Sequence, residues 1–348
     1  MQTLWFWLTS VMVAIYATLD GFDFGAGILH PFVAKTDGER RQVLAAIGPF
    51  WDGNEVWLLA GGGVMFLAFP KVLAAGFSGL YLAMFLVIWT LILRGIAIEF
   101  RSHLALNLWR SFWDGVFFLA SALMPVFLGA ALGNIVRGVP LDEQGQFNLP
   151  LFTHFMTHNP VGILDWYTVL VGLFVLATIV AHGALFLSWK TDGEVRSRCR
   201  KLALPVWCTS TALGIAATVA TARVNPDVYA NLPRAPLAWV GLTLFVIGIL
   251  VVFFAQPKGR DLLAFIGSST FIIGILAATA ASVFPVMLRS TLNSAWSLTA
   301  TNASASQAGL IAGAKWWFLG LLLVVGYFVI VFRLHRGKAQ ASGDGEGY

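Results

Sequence analysis

Apolar positions in this chain come in long unbroken runs, without the alternation of a half-exposed strand or the narrow stripe of a surface helix, and polar residues gather in the short intervals between runs. A bilayer core about 30 Å thick is crossed by about 20 helical residues. Nine runs approach or exceed that length, near 5–33, 54–70, 73–98, 113–133, 161–188, 203–222, 237–255, 262–287 and 316–332. The second is short and carries Gly61-Gly62-Gly63 at its middle. The pattern predicts an all-α integral membrane fold of nine transmembrane helices.

Cations orient it. If all nine runs cross, one side holds Lys35, Arg40, Arg41, Arg94, Arg101, Arg110, Lys190, Arg196, Arg198, Arg200, Lys201, Lys258, Arg260, Arg333, Arg336 and Lys338, which is 16 of the 22 Lys and Arg residues, and the other holds 6. Cytoplasmic loops carry the excess of Lys and Arg, so the N-terminus is expected outside and the C-terminus in the cytoplasm. Dropping the second run inverts everything after it and weakens the bias, so charge favours nine crossings.

Composition agrees: 58% of the 348 residues are hydrophobic and 11% charged, with a mean hydropathy of +0.79, far from the soluble globular range. The net charge of +5 therefore reads as topology rather than nucleic-acid binding. Cys199 and Cys208 lack CxxC or CxxCH spacing and indicate neither a disulfide framework nor covalent haem. The first run is too long for a signal peptide and is expected to be retained. One polytopic domain is expected over 1–338, with a polar, Gly-rich and disordered tail at 339–348.

Ionisable residues inside the runs are lopsided. The first carries Asp20, Asp23 and His30, the second opens with Asp52 and Glu55, the third holds Arg94 with Glu99 beyond it, the fourth begins at Asp114, and the fifth holds Asp165 and His182. The last four carry none in their interiors, so the first half (about 5–133) is expected to hold the chemistry and the second (about 161–332) to be mostly scaffold. Asp20 and Asp23 are three apart and share a helix face. Gly21 and Gly25 have the spacing that lets two membrane helices approach closely.

One cluster of acids and arginines is expected at one depth, near the cytoplasmic side. Two readings stand: Asp23 or Asp52 pairs with Arg94 as a buried structural ion pair, or at least one acid relays protons, since intramembrane acids commonly mark proton paths. The readings are compatible.

His30 and His182 lie at comparable depth and could in principle ligate a haem, although interfacial or hydrogen-bonded histidines are the simpler reading. His154 and His158, four apart in an outer loop, have no acid or cysteine nearby in sequence to complete a metal site. Phe50-Trp51-Asp52-Gly53 is echoed by Phe112-Trp113-Asp114-Gly115; helix-start chemistry or an internal duplication would each account for it.

The blocks Asp20-Gly21-Phe22-Asp23-Phe24-Gly25 and Trp51-Asp52-Gly53-Asn54-Glu55-Val56-Trp57-Leu58 are specific. With Gly61-Gly62, Phe69-Pro70, Phe77-Ser78-Gly79 and Tyr81 they resemble subunit II of the cytochrome bd-type quinol oxidases. The resemblance continues through Arg94, Arg101-Ser102, Trp113-Asp114, Gly133-Asn134, Gly138-Val139-Pro140, Phe284-Pro285 and the Asn293 to Gln307 loop.

It implies two four-helix bundles plus one peripheral helix, in a multi-pass protein of the bacterial cytoplasmic (inner) membrane. It also implies a respiratory complex that oxidises quinol and reduces dioxygen to water, with haem b, haem d and the quinol site in a partner, subunit I. Subunit II would support that partner and contribute a cytoplasmic proton path. No haem or metal ligands are then expected here, although family members can hold a structural quinone in subunit II, and a small single-helix accessory subunit can attach beside lipids.

By position, Asp52 is the expected proton-path acid, extended by Asp23 and Glu55. Asp20, Arg94, Arg101 and Trp51 would form supporting ion pairs or structure. The runner-up from another class is a proton-coupled secondary transporter with acids near a broken, glycine-rich helix; a carrier would run alone and be colourless. A b-type cytochrome using His30 and His182 is the third reading.

Overall fold

Most of the apolar runs become helices much as the pattern predicts, and the departures fall where local chemistry interrupts them. A computed structural model describes residues 1–340. Its helices are α1 Gln2–Val33, α2 Asp37–Ile47, α3 Trp51–Ala68, α4 Pro70–Gly79, α5 Tyr81–Phe100, α6 Asn107–Arg137, α7 Trp166–Lys190, α8 Gly193–Val224, α9 Asp227–Asn231, α10 Pro236–Ala255, α11 Asp261–Val283 and α12 Gln307–Leu334. Val286–Leu288 and Leu298–Thr299 form a small antiparallel pair in the loop before α12. Eight helices are long and apolar enough to cross a membrane, or nine if α3 and α4 count as one bent span.

That bend corrects the run-by-run reading. The second run is α3, but the third divides at Leu80 into α4 and α5, and α4 turns back from α3 by 118°. The break falls at Phe69-Pro70, with Pro70 as the first residue of α4. Proline lacks the N–H that a continuing helix requires and disfavours helical geometry in the residue before it.

Two further helices were not anticipated. Helix α2 is short, carries Asp37, Glu39, Arg40 and Arg41, and is opened by a capping box in which Thr36 Oγ1 accepts from Glu39 N–H and Glu39 Oε2 accepts from Thr36 N–H. Helix α9 is a single polar turn. The eighth run stops at Val283, four residues before its expected end.

Helix α1 runs through the centre, packed on α3, α6, α7 and α11, which is why every residue from Asp20 to His30 is buried. Its closest crossing is with α7. A Cβ placed on Gly25 would lie 2.4 Å from Ile179 O and 2.6 Å from Gly183 Cα. Of the two glycines flagged by spacing, Gly25 is the one the backbone contact requires; Gly21 meets only side chains, those of Ile179 and His182.

Gly25→Ala is therefore expected to force the helices apart and destabilise by about 1–3 kcal/mol, the usual cost of overpacking. Gly115→Ala, with nothing within 4 Å of its added methyl and a position inside α6, should hold or slightly raise the melting temperature, because alanine is the better helix former. Thermal unfolding of the purified protein checks both.

Helix α12 packs against α3 at the margin, and none of its most apolar 18-residue window is buried. Its C-terminal end is tied down by Lys190, whose Nζ donates to His335 O at 2.7 Å. Ala339, at the start of the expected tail, donates its backbone N–H to Lys190 O at 2.7 Å; the tail from 341 to 348 lies outside the described residues.

Candidate functional site

The acids of α1 are buried because α1 itself is. Asp20 and Asp23 have no exposed surface, and neither has Arg94, which reaches them from α5. Arg94 Nη1 donates to Asp20 Oδ1 at 2.5 Å. Its Nη2 lies 3.3 Å from Glu55 Oε2 as an ion pair without hydrogen-bond geometry, and its guanidinium sits 4.2 Å from the Phe24 ring centroid. The partners of Arg94 are thus Asp20 and Glu55, which corrects the expected pairing with Asp23 or Asp52.

Asp23 turns instead to α3, where Asn54 Nδ2 donates to its Oδ2 at 2.8 Å. Asn54 was not singled out from the sequence, although it lies inside the WDGN block. The second oxygens of Asp20 and Asp23, Asn54 Oδ1, Arg94 Nε and the Tyr16 hydroxyl are buried with no protein hydrogen bond of good geometry.

Exposure then rises along α3. The Glu55 side chain is 21% exposed, and Asp52, one turn earlier, is exposed. Asp52 heads the stripe Asp52, Val56, Leu59, Gly63 and Phe66 that α3 turns outward. It is the stripe's one charge, and it makes no ion pair or hydrogen bond among the described residues. Beside it, Trp51 packs toward Gly95 of α5.

A second charge cluster lies about ten residues further along α1, which is about 15 Å of helix rise; the single cluster expected at one depth is therefore two. Asp114 of α6 accepts from Arg101 Nε at 2.6 Å and Arg40 Nη1 at 2.7 Å, and lies 2.7 Å from His30 Nε2. Arg101 continues to Asp37 Oδ1 at 2.9 Å, and Arg110 reaches Asp37 Oδ2 at 3.0 Å. Arg101 therefore supports this cluster and not the Asp20–Asp23 group.

Burial is the largest single influence and pushes the Asp37 carboxyl up, but the Arg101 hydrogen bond and the charges of Arg101, Arg110 and Arg41 together outweigh it and hold the group below the usual carboxylate range. A carboxyl depressed by folding stabilises above its unfolded pKa, and that contribution fades as pH falls through the folded value. Asp37→Asn should accordingly lower the melting temperature at neutral pH and lose its effect in acid. Melting curves of both forms between neutral pH and about pH 3 check this.

The histidines are engaged elsewhere. His182 uses both ring nitrogens, 2.7 Å from Ser268 Oγ and 2.9 Å from Thr18 O, and His30 gives Nε2 to Asp114. The pair therefore does not fit a bis-histidine haem. Three or more His, Cys, Asp or Glu placed to hold a metal do not occur among the described residues.

Asp165, expected inside a span, caps α7: its Oδ1 accepts from Tyr167 and Thr168 N–H, and Arg137 pairs with the other oxygen. A cavity of about 550 Å³ at this far end is lined by Arg137, Asn225, Asp227 and Arg289, and its charges are internally paired.

A family profile described as cytochrome bd terminal oxidase subunit II matches residues 1–335. Cytochrome bd-I ubiquinol oxidase subunit 2 of Escherichia coli K12 is 37% identical over 203 residues, 58% of this chain and 52% of that protein. That match spans about half the relative's length. Cytochrome bd ubiquinol oxidase subunit 2 of Bacillus subtilis is 30% identical over 310 residues, covering 89% of this chain and 88% of the relative. A chain of the bd oxidase structure from Geobacillus thermodenitrificans has the same fold, with a TM-score of 0.77 over 96% of this chain and 98% of that one at 20% identity.

Proposed function

Because this chain belongs to the cytochrome bd terminal oxidase subunit II family, we propose that it works as subunit II of a quinol:dioxygen oxidoreductase in the bacterial inner membrane. It holds a subunit I that carries haem b, haem d and the quinol site, and it supplies part of that subunit's protons. The fold is read as nine crossings, with the N-terminus outside and the C-terminus in the cytoplasm, in two four-helix bundles with α12 peripheral. The acid-bearing first half is the working part and the second half mostly scaffold. A small single-helix subunit, lipids and a structural quinone are further candidates for its surface.

The observation that carries this reading is Asp52: a carboxylate with no ion pair or hydrogen bond among the described residues, at the head of an otherwise apolar outward stripe. A charge at the membrane boundary, heading a stripe that is otherwise apolar, is well placed against a polar site on a neighbouring chain. Asp52 takes up protons at the cytoplasmic end of α3, next to Glu55. Behind it, Arg94 holds Glu55 and Asp20 in place and Asn54 orients Asp23, so that charge sits at fixed positions along α1 and α3. The unpaired oxygens of Asp20, Asp23 and Asn54 offer acceptors for water to join these groups.

The partner's haems supply oxygen reduction when bound; this chain contributes the proton supply on one side. Each dioxygen takes four electrons and four protons to become two waters, and two quinols supply the electrons. If the quinol protons leave outside and the consumed protons come from the cytoplasm, a membrane potential forms without a pump.

Purification through a tag on this chain in mild detergent tests the assignment. A haem-bearing partner should co-purify, and the reduced-minus-oxidised spectrum should belong to that partner. A colourless chain running alone would favour the carrier reading instead.

A further inference from the structure

Most cations on the α2 face are used up inside the protein. Arg40, Arg101 and Arg110 serve Asp114 and Asp37, Arg198 pairs with Glu39, and Lys190 and Lys338 donate to backbone carbonyls. One corner differs. There, the start of α8 meets the turn between α10 and α11.

Arg196 and Arg200 of α8 both lie against Asp261, at 2.6 Å and 3.7 Å. The turn is tied to α8 reciprocally: Gln256 Nε2 donates to Arg200 O at 2.7 Å, and Arg200 Nη2 donates to Gln256 O at 3.3 Å. Gly259, at φ +73°, closes the turn and lets the Arg200 guanidinium pack over it. Lys258 and Arg260 flank that glycine, and Lys201 follows Arg200. All three are exposed, and their side chains have no ion pair or hydrogen bond among the described residues. Five cations thus share one carboxylate. At the border, Lys338 lies within electrostatic range of Arg196, Asp261 and Asp192, and the Asp192 carboxylate offsets its charge.

Directly beneath, in the direction the helices run, Phe254 of α10 and Leu262, Leu263 and Ile266 of α11 are exposed, Phe254 by 64%. A positive corner above an uncovered apolar strip matches an amphiphile with an anionic head and two or more acyl chains. Neither a soluble anion nor a neutral lipid satisfies both halves. We propose that this corner is a binding site for an anionic phospholipid, its phosphates against Lys201, Lys258 and Arg260 and its chains along α10 and α11. The inference goes beyond the proton-supply reading and does not depend on it, because both leaflets contain lipid phosphate whichever way the chain is oriented.

The test uses the assembled complex, delipidated and then titrated with cardiolipin or with phosphatidylcholine under native mass spectrometry. Each Lys or Arg near an anionic lipid surface contributes about 1 kcal/mol. Lys201→Gln/Lys258→Gln/Arg260→Gln should therefore weaken cardiolipin retention at least about tenfold and leave phosphatidylcholine unchanged. Equal cardiolipin retention by wild type and variant would overturn the site. Inorganic phosphate, tested by melting temperature, should not stabilise the wild type; stabilisation equal to that from cardiolipin would assign a plain anion site and overturn the lipid.

Should the triple variant not assemble, the wild-type complex still decides the matter. Cardiolipin should protect Lys201 and Lys258 from an amine-acylating reagent at least about tenfold more than phosphatidylcholine does. Equal labelling in the two lipids would contradict the proposal.

Discussion

Replacing Arg94 with leucine is expected to abolish accumulation of assembled oxidase. Arg94 is fully buried, and among the described residues it alone pairs with Asp20 while also pairing with Glu55. Removing one partner of a buried pair leaves the other charge uncompensated, at a cost of about 3–5 kcal/mol, a large part of the stability of an ordinary domain. Asp20→Asn in the same chain removes the stranded carboxylate, so the double variant should recover much of the lost complex, measured as haem content per milligram of membrane. Failure of the double variant to recover would mean that Arg94 acts mainly through Glu55 or through its contact with Phe24.

Asp52→Asn is expected to do the opposite: the complex should assemble with normal haem and turn over slowly. Asp52 is exposed and pairs with nothing among the described residues, so removing its charge breaks no internal contact. Positioned proton-transferring groups typically contribute about 10²–10⁴-fold to a rate. A loss of at least about tenfold in oxygen consumption is therefore expected if most protons pass this carboxylate. Asp52→Glu keeps the acid one methylene further out and should retain more activity than Asp52→Asn. Loss of haem in Asp52→Asn would make Asp52 an assembly residue instead.

The sequence made the framework legible because hydrophobic length is a strong signal in a membrane. The acids of α1 and the WDGN block were also visible as unusual residues in unusual places. The pairings were not. Asp20 and Asp23 are about 60° apart around a helix with 3.6 residues per turn, so spacing places both on one face without deciding which meets α5 and which meets α3. The structure gives Arg94 to Asp20 and Asn54 to Asp23.

Helix α2 was passed over because it is too short and too charged to register as a membrane run, yet Thr36 and Glu39 carry a capping-box signature. Pro70 is likewise a readable stop and does fall at the end of the second run; the division of the third run at Leu80 has no such signal. The echo of Trp51-Asp52-Gly53 in Trp113-Asp114-Gly115 does not extend to roles: Asp114 is held by His30, Arg40 and Arg101, while the Asp52 side chain makes no ion pair or hydrogen bond among the described residues.

On the proposed reading, protons reach the partner from the cytoplasmic end of α3 through Asp52. Time-resolved voltage measurements on the reconstituted oxidase test it most directly, since they follow charge crossing the membrane during a single turnover. With haem content matched, the Asp52→Asn complex should show a slowed voltage rise together with slowed oxygen reduction. A voltage rise identical to wild type in amplitude and rate would place the proton supply elsewhere and leave this chain a support for its partner.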